Sequence, residues 1–385
     1  MSPAVEPPAL ELAPGSVLVY VGLDLVGDGL IKLPFLRALR NAFPHARITW
    51  LAGKGKSAYA HGLAPLVRGL LDEVVEEADV GRHWHEALSP ALKGTPMEGR
   101  RFDLIIDSQR RAGTTLLLRR IPHEHFISGA ADYFFSSRRP PKPREKPPAM
   151  VQQLLSLVEL ASGRPADTSG ELPGDPRLDA LATALLPAGR RYIGLAPGAG
   201  GKHKCWPLER YLDLAEALLH AGSTPVVFLG PEESDWAARV AEAVPAALLP
   251  LQSQAVEDAG PSPLVTIALA RRLSLAVAND AGVGHMMAAA NCPLISLFGP
   301  TPPEKFAPLV AHARVLRAQD FAGDAAGQTD GAAMEHIPLG AVQAAIDDLL
   351  REIEDAQSDK RHLTGQGPPS RGPAGRAAYS EGKVR

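Results

Sequence analysis

Cysteine is nearly absent from this chain. Two residues in 385, Cys205 and Cys292, match no metal-ligand spacing and offer no disulfide framework, which fits a reducing compartment. A dominant charge is missing too. Lys and Arg number 40 against 43 Asp and Glu, a net charge of -3, so there is no basic field and no nucleic acid is expected as a partner. No apolar run nears the roughly 20 residues needed to span a bilayer. The opening MSPAVEPPALELAPGS carries acidic residues and prolines but no Lys or Arg, and does not read as a secretory signal. No Walker A loop occurs, and no G-x-G-x-x-G follows either opening strand, which disfavours a Rossmann dehydrogenase. The expectation is a soluble cytoplasmic protein that is still able to work at a membrane surface.

Hydrophobic residues make up 45% of the chain, enough for two domain cores at this length. The segment LAVANDAGVGHMMAAANCPLISLFGPT, Leu275 to Thr301, organises the second. Leu275 to Ala278 suit a strand buried on both faces, Asn279-Asp280 stop it, and Gly282 and Gly284 permit a tight turn. His285 to Ala290 read as a helix and Leu294 to Phe298 as the next strand, which makes one βαβ unit. Open N–H groups at the start of such a helix can hold an anion, with Asp280 or His285 reaching a sugar hydroxyl. An ordinary strand-to-helix turn with a core histidine is the other reading.

Earlier in the chain, residues 17–23 read as a strand, and Leu30 to Phe43 recur at helical spacing. RITWLA (Arg47 to Ala52) and FDLIID (Phe102 to Asp107) follow as strands. Strands alternating with helices imply a parallel, doubly wound sheet. Asp28 sits where the first strand feeds the first helix, as a helix N-cap or as a general base facing a cleft. RRPPKPREKPP (138–148) carries five basic residues against one acidic and reads as a solvated loop or as a basic lip for an anionic acceptor. Residues 161–190 read as a linker with a short helix.

A second half opens at Arg191. Its strand, Tyr192 to Ala196, runs into Pro197-Gly198-Ala199-Gly200-Gly201, then Lys202-His203-Lys204, which puts cations beside a loop able to wrap a diphosphate. Residues 208–221 form an amphipathic helix, and Pro225 to Leu229 a strand ending in Gly230-Pro231-Glu232-Glu233. Glycine at a strand exit occurs at Gly198, Gly230 and Gly282, which favours a nucleotide site. Val342 to Ile353 make a closing helix, and 355–385 have little to bury and are expected to be disordered. These readings set an N-terminal domain at 17–175 and a C-terminal domain at 185–353.

Together, GDGLIKLPFLRALRNAFPHARITWLA, LAPGAGGKHKCWPLERY, VVFLGPEE and ALARRLSLAVANDAGVGHMMAAANCPLISLFGPTPPEKFAP resemble family 9 glycosyltransferases, the bacterial heptosyltransferases of the lipopolysaccharide inner core. The resemblance covers most of 17–353 and is strongest over 191–308. It implies a GT-B fold, two Rossmann-like domains facing a cleft, with the last helix often crossing back onto the N-terminal domain. It also implies metal-independent, inverting transfer without a cofactor. The implied donor is ADP-heptose, and the implied acceptor an anionic lipid-linked glycan met at the inner face of the membrane. By motif, Asp28 becomes the general base, and Lys204 the diphosphate ligand. Glu232, with Glu233 as rival, becomes the ribose carboxylate. Asp280, Gly282 and His285, with Gly198, complete the donor site, and Arg110 and Arg111 are acceptor contacts. The chain departs from the pattern at Ala281, where Ser or Thr is usual, and at Cys205, where a basic residue or His is common. A GT-B sugar-nucleotide epimerase and a silent nucleotide-sugar-binding protein are the competing readings.

Overall fold

The computed structural model describes residues 12–81, 92–141, 146–322 and 333–363. Its first half contains β1 (Ser16–Val21), α1 (Val26–Ala42), β2 (Arg47–Ala52), β3 (Glu73–Val75), β4 (Phe102–Asp107), α2 (Ala112–Leu118), β5 (His123–Ser128) and α3 (Met150–Ser162). Its strands pair all in parallel in the order β3-β2-β1-β4-β5. The uniformly apolar Val17 to Val21 is the signature of a strand covered on both faces, and all five residues are fully buried. α3 closes on Gly163, whose φ of 75° is left-handed and whose N–H returns to Glu159 O. It joins α1 in the core through Leu154, Leu157, Val158 and Ala161.

The second half contains α4 (Pro176–Leu185), β6 (Tyr192–Ala196), α5 (Leu208–His220), β7 (Thr224–Val227), α6 (Trp236–Ala243), α7 (Gln254–Ala259) and α8 (Pro263–Ala270). There follow β8 (Leu275–Asn279), α9 (Gly282–Ala289), β9 (Leu294–Phe298), α10 (Pro303–Phe306), β10 (Ala313–Arg317) and α11 (Leu339–Leu363). The sheet order is β10-β9-β8-β6-β7, again parallel. These are the two five-stranded Rossmann-like units expected of a GT-B chain. Crossovers between parallel strands put each loop after a strand on the same edge, so the Gly-rich exits of β6, β7 and β8 converge.

Three boundaries differ from the sequence reading. α4 docks on the second core through Leu178, Ala182 and Leu186, so the chain crosses between domains over 163–175. The described side chains of α11 dock on the second domain. Val342, Ala345, Ile346 and Leu349 recur at helical spacing and sink into the second core. The same helix runs past Ile353 to Leu363, so the start of the 355–385 segment is helical, because extending a docked helix costs little. Residues 364–385 lie outside the described residues.

Candidate active site

The two domains meet where their first glycine-flanked helices touch. α1 starts at Val26 and α9 at Gly282, each earlier than helical periodicity alone placed it. A Cβ on Gly27 would lie 3.4 Å from Gly282 Cα and 3.5 Å from His285 Cδ2. Both are ordinary van der Waals distances, so the starts of α1 and α9 pack directly on each other, and the contact carries Asp28 of one domain up to His285 of the other. The N-cap of α1 is Leu25, with no side-chain hydrogen bond. Asp28 stands in the first turn, half-buried, so it is not the cap that the sequence allowed.

His285 is 8% exposed. Burial pulls its imidazole below the ordinary value, against the opposing fields of Asp280 and Asp28, so the ring is neutral near pH 7. Asp280 follows β8, and its Oδ2 lies 3.1 Å from Lys204 Nζ. Lys204 ends the 3₁₀ turn Lys202–Lys204. The two residues assigned to the donor from separate motifs thus form one ion pair. Ala281, the N-cap of α9, carries no side-chain acceptor; Gly284 N–H turns back to Ala281 O, and the Gly282 and Val283 amides have no side-chain cap.

Asn279, read from sequence only as the end of a strand, organises this edge. It is 2% exposed. Its Oδ1 accepts from Trp206 N at 3.1 Å, and its Nδ2 donates to Pro197 O at 2.7 Å. The Tyr211 hydroxyl lies 3.2 Å from both Asn279 Oδ1 and Ala196 O. One amide therefore ties the β6 exit, the segment after Lys204 and α5 to β8. Asn279→Leu strands several buried partners at 1–3 kcal/mol each, so we expect a loss of about 3 kcal/mol or more by urea unfolding. A loss below about 1 kcal/mol means that the amide ties are dispensable.

Glu232 and Glu233 separate in space. Glu232 is exposed, while Glu233 Oε2 accepts from Gly230 N at 3.1 Å. A Cβ on Gly198 would sit 2.4 Å from the Glu233 carboxyl carbon. Gly198 thus makes room for Glu233, and burial, with Glu232 and Asp235 nearby, raises that carboxyl. Of the two carboxylates, Glu233 is the one against the glycine loop. The thiols are quiet: burial pushes Cys292 up to about 12 and, with Glu233, raises Cys205.

At the N-terminal edge, Arg110 has a left-handed φ of 46°. Its guanidinium lies against Gly129 and over the Tyr133 ring at 5.8 Å. Arg111 is exposed at the N-cap of α2. Asp107, fully buried, accepts from Thr115 Oγ1, Ser128 Oγ and Gln109 N at 2.6, 2.8 and 2.9 Å, which fixes the loop that carries both arginines. In the 138–148 segment, read as a solvated loop or a basic lip, Arg138 is half-buried and Arg139 exposed. Arg138 donates to Ala161 O at 3.1 Å and Arg139 to Phe134 O at 3.0 Å. Lys142 to Glu145 lie outside the described residues.

A cavity of about 760 Å³, bounded by Leu30, Arg37, Leu172, His285, Arg271 and Phe306, opens on the linker side of the α1–α9 contact. Its lining takes in His285 but not Gly198, Lys204, Glu233 or Asp280. No cluster of three metal-ligating side chains occurs among the described residues, and no helix there is long and apolar enough to cross a membrane.

The profile described as "Glycosyltransferase family 9 (heptosyltransferase)" matches residues 94–330. The chain is 26% identical to Lipopolysaccharide heptosyltransferase 2 of Escherichia coli, over 78% of this chain and 87% of that protein. It is 36% identical to Lipooligosaccharide heptosyltransferase 2 of Haemophilus influenzae over a shorter stretch, 35% of this chain and 38% of that protein. Among solved structures, E. coli ADP-heptose lps heptosyltransferase II superimposes with a TM-score of 0.61 at 22% identity, covering 88% of this chain and 99% of that one. At that identity the superposition speaks for the GT-B fold.

Proposed function

The chain belongs to glycosyltransferase family 9, and from that membership we propose that it transfers heptose from ADP-heptose to a lipopolysaccharide core acceptor, with inversion at the anomeric carbon. The observation that carries the residue assignments is the α1–α9 contact. It brings Asp28 to His285, behind which stand Asp280 and Lys204.

In this reading the acceptor hydroxyl attacks the anomeric carbon in line with the departing diphosphate. The new C–O bond forms as the sugar–diphosphate bond breaks, and Asp28 takes the hydroxyl proton. Charge that builds on the leaving diphosphate is met by Lys204 and the open amides of α9. Neutral His285 is suited to donating a hydrogen bond to the sugar or phosphate rather than to supplying charge. Glu233, braced by Gly230 N–H, is placed to accept from the ribose hydroxyls, a role the family pattern gives to Glu232. Arg110 and Arg111 offer a half-buried and an exposed cation to an anionic acceptor. In this reading the enzyme works in the cytoplasm, against the membrane face that presents the acceptor.

The test incubates the protein and EDTA with ADP-, UDP-, GDP- or CMP-sugars, with and without heptose-free core lipopolysaccharide, and reads products by mass spectrometry. Transfer from ADP-heptose alone, dependent on acceptor, is expected. Conversion of the donor sugar without acceptor indicates an epimerase, and preference for another nucleotide overturns the donor assignment.

A further inference from the structure

α1 buries a regular stripe against the first sheet. Leu36 and Leu39 are fully buried, and Lys32, one turn before Leu36, stands in the same stripe at 6% exposure. Helical spacing reserves this position for an apolar side chain, and a lysine here loses nearly all of its hydration. Two carboxylates lie within electrostatic reach of it, Asp28 one turn back on α1 and Asp24 in the loop before the helix. Asp24 is 1% exposed. It accepts from Ser57 Oγ at 2.8 Å, and Trp50 Nε1 lies 3.5 Å from its other oxygen. Neither hydroxyl nor indole neutralises a carboxylate, so the charge of Asp24 falls on Lys32 and, as a like charge, on Asp28.

We propose that Lys32 is a positioning residue for sugar transfer: its buried ammonium, one helical turn from Asp28, offsets the charge of Asp24, so that the base works beside a compensated rather than a bare carboxylate. The proposal rests on Asp28 acting as the base. Two carboxylates and one ammonium leave a single net negative charge, and Asp28, half-buried in the cleft, is the member able to meet substrate. Burial lowers the ammonium, and both carboxylates pull it back up. Burial first, then Asp28, raise Asp24, while Ser57, Lys32 and Trp50 lower it. The other groups facing the cluster do not replace Lys32. His285, from α9, is held neutral by burial. Tyr59 is a buried phenol whose hydroxyl donates to Gly29 O at 2.6 Å. Glu76 is tied to Ser57 N and His61.

The experiment measures kcat/KM against pH, with donor Kd by calorimetry, for wild type, Lys32→Met, Lys32→Arg and the double variant Lys32→Met/Asp24→Asn. Without the ammonium, two neighbouring carboxylates share a proton. The acid limb of the Lys32→Met profile then moves to higher pH by about one unit or more. Activity falls about tenfold or more at the acid end of the profile and recovers under alkaline conditions, while donor Kd stays at the wild-type value. Lys32→Arg keeps the limb in place, and removing the Asp24 charge in the double variant brings it back. A uniform loss at every pH, or an unmoved limb in Lys32→Met, overturns the proposal. If Lys32→Met does not fold, a displaced limb in Lys32→Arg does so instead. Asp28→Asn separates the two readings: inactive with an unmoved limb in Lys32→Met, only the role of Lys32 is lost, whereas an active Asp28→Asn removes the base assignment as well.

Discussion

Asp28→Asn lowers kcat by about 10²–10⁴-fold, the usual contribution of a positioned general base, while donor Kd and folding stay close to wild type. The amide keeps the size of the carboxylate but cannot take the acceptor proton. Stability is spared because Asp28 caps nothing: the N-cap of α1 is Leu25, without a side-chain hydrogen bond, and no hydrogen bond to the Asp28 side chain occurs among the described residues. Donor affinity is spared because the groups assigned to the diphosphate and ribose belong to the other domain. Calorimetry with ADP alongside steady-state kinetics checks both halves. Wild-type kcat in the variant sends the search for the base elsewhere on the cleft.

Lys204→Ala behaves differently, weakening ADP binding and lowering kcat together. A charge-assisted hydrogen bond contributes about 1.5–3 kcal/mol, or roughly a 10- to 150-fold rise in donor Kd. A second effect follows from the 3.1 Å ion pair. Once the lysine is gone, Asp280, with a side chain only 11% exposed, faces the donor phosphates as an uncompensated like charge. Lys204→Ala/Asp280→Asn therefore recovers part of the affinity, although it removes a second assigned residue. A double-mutant cycle on Kd gives the coupling. Independent losses that add mean that the ion pair is a surface pairing without a part in donor binding, and unchanged Kd in the single variant removes Lys204 from the diphosphate.

Residues meant to be read from the sequence were those whose behaviour is local. Val17 to Val21, Arg47 to Ala52, Phe102 to Asp107 and Leu294 to Phe298 are strands because short apolar runs bounded by breakers leave few alternatives. Glycine after β6, β7 and β8 marked the converging edge, since parallel topology puts every strand exit on one side. The sequence pattern starts these helices at Leu30 and His285, whereas in the structure they start at Val26 and Gly282. Glycines 27, 29, 282 and 284 look like breakers along the chain, yet the packing of α1 on α9 outweighs helix propensity.

Composition, strand pattern and glycine spacing determined two parallel α/β domains and the edge on which a nucleotide would lie, because burial period and backbone freedom are properties of neighbouring residues. Only the tertiary structure decided which side chains act together. Glu233 rather than Glu232 turns to Gly198 because the 3₁₀ turn Pro231–Glu233 brings its carboxylate back to Gly230 N–H. Asn279 joins three segments, Lys204 meets Asp280, and buried Lys32 falls within electrostatic reach of Asp24 and Asp28. The first two depend on distances between residues far apart in the chain, and the last on a desolvation that sequence neighbours alone do not set.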